Sequence, residues 1–185
     1  PQISAILNIT PDHLNRHHTM DCYIKTKEAI TTNQTKDEVC VLNYEDEVLR
    51  AFGESAPVHV VWFSSARKLA EGFYLDGEEI FYAHDGNTEK VINVNDLNLL
   101  GRHNYENVMA ATAMSVNFGV PMEKIVEVLK RFQAVEHRIE YVTEKRGVRF
   151  YNDSKGTNPD AAIQGIRAMN RPTLLIGGGY DKIGR

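Results

Sequence analysis

Several short stretches of this 185-residue sequence carry side chains whose types and spacing could do chemistry. His13 stands in Thr10-Pro11-Asp12-His13, directly behind an apolar run. An imidazole in a short loop at that place can meet a ligand or a divalent cation, with Asp12 orienting it, or can make a plain polar contact. Lys27 falls on a helical wheel among Met20, Tyr23, Ile24 and Ile30, whereas Lys25 points away. Buried in that stripe, its amine would be driven toward the neutral form and could take up carbon dioxide as a carbamate, which binds metal as a carboxylate does. The other reading is a lysine whose stem lies on the stripe while its head reaches water. His17 and His18 read as exposed, and the seven histidines show no zinc spacing.

GRHNYEN, residues 101–107, opens a helical pattern whose inner face continues through Ala111, Met114 and Phe118 and includes Asn107. A carboxamide donates and accepts at once, so it can read the edge of a heteroaromatic base. Asn104 could instead cap the helix, with Asn107 satisfying backbone groups. NDSKGTNP, residues 152–159, sets a carboxylate, an ammonium, two hydroxyls and two amides between a strand and a helix, where loops bind ligands. Ser154, Thr157 or Asn158 could simply be caps, but Asp153 and Lys155 two apart in one turn call for another reason. The run GGGYDK, residues 177–182, is a weak glycine turn without the GxGxxG pattern.

The elements that must position these groups alternate between strand and helix. Residues 3–9 are apolar on both faces of the pleat, as in a buried strand of a parallel sheet, and a helix over 19–33 leads to the next buried strand at 39–43. A polar helix over 45–55 and a third strand at 58–63 follow, giving right-handed β-α-β units. Residues 72–94 read as short alternating strands turned at Asp76-Gly77 and Asp85-Gly86, a small antiparallel excursion. Helices over 103–118, closed by Gly119, and from Pro121 to residue 132 come next. A hairpin with strands at 139–143 and 148–151, a helix over 159–169 and an apolar strand at 173–176 then read as the opening of a second α/β domain, with the boundary between 136 and 140.

Composition narrows the class. With 21 Lys plus Arg against 25 Asp plus Glu the net charge is −4, and neither a basic field nor a basic arm offers itself to nucleic acid. The hydrophobic fraction of 42% supplies a core. Apolar runs fall short of a bilayer span, and the N-terminus lacks a signal-peptide pattern, so the chain reads as soluble and unexported. Two cysteines, Cys22 and Cys40, leave neither a disulfide scaffold nor a CxxC metal site. A start at Pro1, straight into an apolar run, is expected of a piece of a longer protein.

In the order ILNITPDHLNRH, YIKTKEAI, GRHNYEN, EHRIEYV, FYNDSKGTNPDAA and LLIGGGYDK, the text resembles the Mur ligases of bacterial cell-wall synthesis across essentially its whole length. NDSKGTN is the most discriminating of these; Asn15 departs from the Asp more usual after DHL in the family. The resemblance implies an α/β fold: the later part of a central ATPase domain at 1–137, a mostly parallel sheet with helices plus a small antiparallel sheet, and the start of a Rossmann-like C-terminal domain at 138–185. The phosphate loop, GxxxxGK before Ser or Thr, does not occur here and is expected upstream.

By the same resemblance the activity is ATP-dependent amide formation between UDP-N-acetylmuramoyl-L-alanine and D-glutamate through an acyl phosphate, in peptidoglycan precursor synthesis. Lys27, as a carbamate, and His13 are implied as magnesium ligands, and with Lys155 as the catalytic set. Asn104, Asn107, Arg138 and Asp153 match positions that hold ATP, with His137 beside them; Lys155, Thr157 and Lys182 match acceptor-binding positions. A monomeric enzyme of the bacterial cytoplasm follows, with small-molecule substrates and neither nucleic acid nor membrane as partner, the 185 residues being inactive alone. Two other readings stand beside it: a non-catalytic nucleotide- or partner-binding module on the same scaffold, and a related Mur or folylpolyglutamate-type ligase with another acceptor.

Overall fold

The computed structural model describes residues 1–11, 14–157 and 159–179. The chain divides into two compact units after Gln133. In the first, β1 (Ile3–Ile6), β2 (Val39–Asn43), β3 (His59–Ser64), β4 (Gly72–Asp76), β5 (Glu79–His84) and β6 (Asn87–Asn93) form one six-stranded sheet in sequence order. The first four run parallel and the last three antiparallel. Helices α1 (Leu14–His17) and α2 (Met20–Glu28) connect β1 to β2, and α3 (Glu47–Ser55) connects β2 to β3.

The parallel part is buried as its sequence demands. Cys40, Val41 and Leu42 of β2 are fully inaccessible, so both faces of that strand are covered. Ile6, Cys40 and Leu42 pack with Tyr23 of α2 and Leu49 of α3 on one face. The long helix α4 (Arg102–Asn117) packs against β1 to β4 and takes no part in that cluster, so it covers the other face. Its inner side is Asn104, Val108, Met109 and Ala113, which corrects the face expected through Asn107, Ala111, Met114 and Phe118: the helix is rotated on the sheet so that Ala111 and Phe118 are exposed. Between β3 and β4 the connection is short for a parallel pair, because only the end of β3 meets the start of β4, Phe63 beside Phe73 and Ser64 beside Tyr74. The chain therefore need not cross back along the sheet.

Turn chemistry sets the antiparallel strands. Gly77 alone has positive φ (58°) between β4 and β5, whereas Asp85 (50°) and Gly86 (73°) both do between β5 and β6, the two-residue turns whose twist suits a hairpin. The expected strand at 3–9 stops at Ile6, since Ile9 N donates instead to Asp46 Oδ2 at 2.6 Å. The expected helix over 19–33 stops at Glu28 in a 3-10 turn, Ala29–Thr31, where β-branched Ile30, Thr31 and Thr32 follow one another. After α4, α5 (Met122–Arg131) follows a Phe118–Gly119 end with Gly119 at φ 89°.

The second unit contains a hairpin of β7 (Glu140–Lys145) and β8 (Val148–Asn152), turned by Arg146 (φ 54°) and Gly147 (78°), and α6 (Pro159–Arg167). The strand expected at 173–176 does not form. A strand exists through its ladder, and no described strand pairs with this segment, so Leu174 and Ile176 stand 89% and 92% exposed.

Candidate active site

Candidate side chains gather at three places among the described residues, two in the first unit and one in the second. On α2, Thr19 caps the helix by accepting from Cys22 N at 3.2 Å, and Lys27 follows Tyr23 by one turn. Tyr23 is buried and touches the ring of His17, which is half-buried rather than exposed. Lys27 is exposed, with its Nζ over the Tyr23 ring, 5.3 Å from the centroid. Of the two readings of Lys27 the structure gives the second: the tyrosine takes the core position, and the lysine lays its stem along it and turns its head to water.

Asn104 is buried in the first turn of α4, where Gly101, not Asn104, is the N-cap residue. Gly101 has φ 93° and offers no side-chain cap, so the start of the helix is held otherwise. Asn104 Nδ2 donates to Leu100 O at 2.7 Å, and its Oδ1 accepts from Asn107 Nδ2 at 3.5 Å. Asn107, half-buried, keeps its own carbonyl oxygen and a second N–H uncommitted among the described residues.

In the second unit the turn before β7 folds onto the loop after β8. His137 (φ 66°) accepts at its carbonyl from Lys155 N at 2.9 Å, and its Nδ1 lies 2.8 Å from Asn152 Nδ2. Asp153 Oδ1 accepts from Ile139 N at 3.0 Å, and its backbone oxygen from Gly156 N at 2.9 Å. Its other oxygen lies against α6, where a Cβ on Gly165 would come within 2.4 Å of Oδ2. Asp153 is therefore seated by a backbone amide on one side and a glycine on the other. Arg138, Lys155 and Thr157 have exposed side chains around this turn. His13 and Lys182 lie outside the described residues, as does Asn158.

A group that pattern reading missed lies where the parallel strands end. Glu45 Oε1 accepts from Ser64 Oγ at 2.6 Å and from Arg67 Nε at 2.9 Å, while Arg67 NH2 reaches Oε2 at 2.7 Å. Burial pushes the Glu45 carboxyl up, but these hydrogen bonds and the charges of Arg67 and Arg50 outweigh it and hold the acid below its usual range. Next to it, Ser65 Oγ donates to Glu106 Oε1 at 2.5 Å. The rule that ligands meet α/β sheets at the carboxyl ends of strands was the available signal.

Magnesium takes oxygen donors in octahedral array. Among the described residues no group of three or more His, Cys, Asp or Glu converges as a metal cage. The exposed Lys27 ammonium repels a cation; only as a carbamate would it offer magnesium oxygen donors. No helix among the described residues is long and apolar enough to cross a membrane.

An α/β sheet with candidate groups at its strand ends is the architecture of many ligand-binding enzymes, and the comparisons with known proteins narrow it. Residues 1–115 match the Mur ligase middle domain, and the chain belongs to the Mur ligase family. It is 61% identical over 182 residues to the UDP-N-acetylmuramoylalanine--D-glutamate ligase of Lachnospira eligens and 58% identical to that of Lachnoclostridium phytofermentans, covering 98% of this chain in each case. The chain spans 40% of the length of these relatives. Among solved structures, MurF from Acinetobacter baumannii superposes with a TM-score of 0.67 at 21% identity, over 89% of this chain and 36% of that one, a likeness of fold.

Proposed function

We propose that this chain is the part of an ATP-dependent amide ligase that holds the nucleoside end of ATP and faces the acceptor, and that the protein containing it joins D-glutamate to UDP-N-acetylmuramoyl-L-alanine in bacterial peptidoglycan precursor synthesis. The observation that carries the reading is the 61% identity, over 98% of the chain, to a relative of that name. Residues 1–137 belong to the central ATP-binding domain and 138–185 to the start of the C-terminal domain in this reading. The enzyme works as a monomer in the cytoplasm, with nucleic acid and membrane playing no part.

The alanyl carboxylate is ionised at neutral pH and is a poor electrophile with no usable leaving group. Transfer of the γ-phosphoryl group of ATP to it gives an acyl phosphate and ADP. The D-glutamate amine then attacks the carbonyl carbon, phosphate leaves, the amine gives up a proton, and the amide remains. Asn107 meets the base with one donor and one acceptor, Asn104 beside it, while Asp153 accepts from the ribose hydroxyls with His137 and Arg138 close by in sequence. Lys155 and Thr157 face the meeting point of nucleotide and acceptor, and Lys182 receives a carboxylate of D-glutamate. His13 and the carbamate of Lys27 hold magnesium, which when bound offsets negative charge on the reacting oxygens. Water is kept from the acyl phosphate by closure of the surrounding domains.

The test is phosphate release by the complete gene product with UDP-N-acetylmuramoyl-L-alanine and ATP, comparing D-glutamate with L-glutamate, L-lysine and diaminopimelate. Release that depends on D-glutamate is expected. Release with another amino acid would keep the ligase and replace the acceptor; no release from folded protein would favour a binding module.

A further inference from the structure

We propose that Ser65 and Glu106 are positioning residues for the nucleotide base, the last link of a polar strap that runs Glu45, Ser64, Ser65, Glu106 along the carboxyl edge of the sheet and sets the carboxamide of Asn107. The proposal rests on the reading of α4 as the base site.

Each link is a direct contact. Glu45 follows β2, and its carboxylate takes the Ser64 hydroxyl at the end of β3. Ser64 Oγ in turn accepts from Ala66 N at 3.2 Å and Arg67 N at 3.0 Å, so the turn leaving β3 has one geometry, and Ser65 within it is fixed. Ser65 is 5% exposed, and its hydroxyl gives the Glu106 carboxylate a short charge-assisted bond of 2.5 Å. Glu106 directly precedes Asn107 on α4.

This contact does something the helix lacks by itself. Gly101 supplies no side-chain cap, and apolar burial on α4 begins at Val108, so polar contacts help set the first turn. Asn104 to Leu100 O and Glu106 to Ser65 are two such polar ties. They differ in reach: the first is within the helix start, whereas the second ties the helix to the sheet. A glutamate half out of water gains nothing from turning inward on a helix surface unless it meets a donor, and a directed hydrogen bond fixes rotation where a greasy contact would not. Because Asn107 reads its ligand with one N–H and one carbonyl, small rotations of α4 misalign both at once.

The experiment uses the complete gene product containing this sequence, with affinity for a non-hydrolysable ATP analogue, KM for ATP, KM for D-glutamate and melting temperature measured on each variant. Glu106→Ala and Ser65→Ala are each expected to weaken ATP by about tenfold, the scale of one lost hydrogen bond, leaving KM for D-glutamate unchanged. The double variant should be no worse than either single one, since both remove one bond. Glu106→Gln, whose amide oxygen still accepts from Ser65, should recover most of the affinity. Asn107→Ala separates the two readings. If it weakens ATP while Glu106→Ala and Ser65→Ala do not, the strap is overturned and the base site stands; if it leaves ATP unchanged, the base site fails and the strap with it. Equal loss for both substrates, or failure of Glu106→Gln to rescue, would show a merely structural contact. Should Glu106→Ala not fold, Ser65→Ala against Ser65→Thr, which keeps the hydroxyl, carries the same comparison.

Discussion

An exposed ammonium over a tyrosine ring behaves as a surface lysine until something converts it, and in the function proposed for this chain carbon dioxide would do so for Lys27. Conversion would turn a positive head into an oxygen donor without moving the stem. Replacing Lys27 by Ala in the complete protein is expected to abolish ligation, with partial recovery on adding a small carboxylate such as acetate; full activity without additive would remove the carbamate. Asp153 is tested through its neighbour. Gly165→Ala places a methyl where Oδ2 sits, 2.4 Å away, so the carboxylate must swing from its seat. ATP affinity should fall in Gly165→Ala as it does in Asp153→Ala, with the double variant adding little, and an unchanged affinity would take Asp153 out of the nucleotide site. Sequence pattern left two readings of Lys27, buried or with its head in water, and the structure shows the second. The wheel put it in a stripe, but a stripe has edges, and which residue fills the centre depends on the packing partner, here His17 beside Tyr23. The helical face read for Asn107 was not the buried one: Ala111 and Phe118 on it are exposed, and the inner side runs instead through Asn104, Val108 and Ala113. Glu106 was not legible, since a glutamate next to an exposed arginine on a helix looks like any solvated charge until the serine opposite is known.

At the scale of elements, turns and buried strands were written plainly in the chain. Asp85-Gly86 forms the tight turn its residues prescribe, and the runs at 39–43 and 58–63 became β2 and β3 because nothing but a strand with both faces covered suits them. What pattern could not give was how β2 and β3 are held together past their last ladder bonds, which is the work of Glu45. Its acid is held below the usual range in the folded state, so its share of stability is present above the unfolded value of about 4.3 and is lost as pH falls through the lowered folded value. Melting temperature should therefore drop more steeply below about pH 4 in the parent than in Glu45→Gln, since the carboxylate value of an ordinary Glu marks the start of that loss. Parallel acid limbs for the two proteins would show that the pair with Arg67 contributes nothing. His84 works in the opposite sense. Its hydrogen bond to Glu89 raises its pKa, outweighing the opposing effect of burial, and Asp85 adds to the rise, so its contribution is present at acid pH and fades as pH climbs through the raised value. It cannot account for an acid loss, and the two effects separate cleanly in a pH series.

At the scale of the whole molecule, the residues at 173–176 show what local sequence does not determine. Thr173, Leu174, Leu175 and Ile176 have the composition of a central strand, and a reader of the sequence alone expects one. Helices satisfy their own backbone, so α6 can form from its own residues; a strand cannot, because every ladder bond lies on another segment. The first unit contains a sheet complete enough to enclose β2, whereas the described part of the second has one hairpin whose two strands pair with each other. Hydrogen exchange on the 185-residue chain gives the measurement. Amides at 173–176 should exchange at the rate of unstructured peptide, those of β7 and β8 at an intermediate rate, and those of β2 and β3 most slowly. Protection at 173–176 comparable to that of β2 would mean that a partner strand forms in solution, and the exposed apolar run would then have to be counted as core. Fast exchange there, with the same amides protected in the complete protein, would locate the missing ladder in residues outside these 185 and make the second unit's sheet a property of the longer chain.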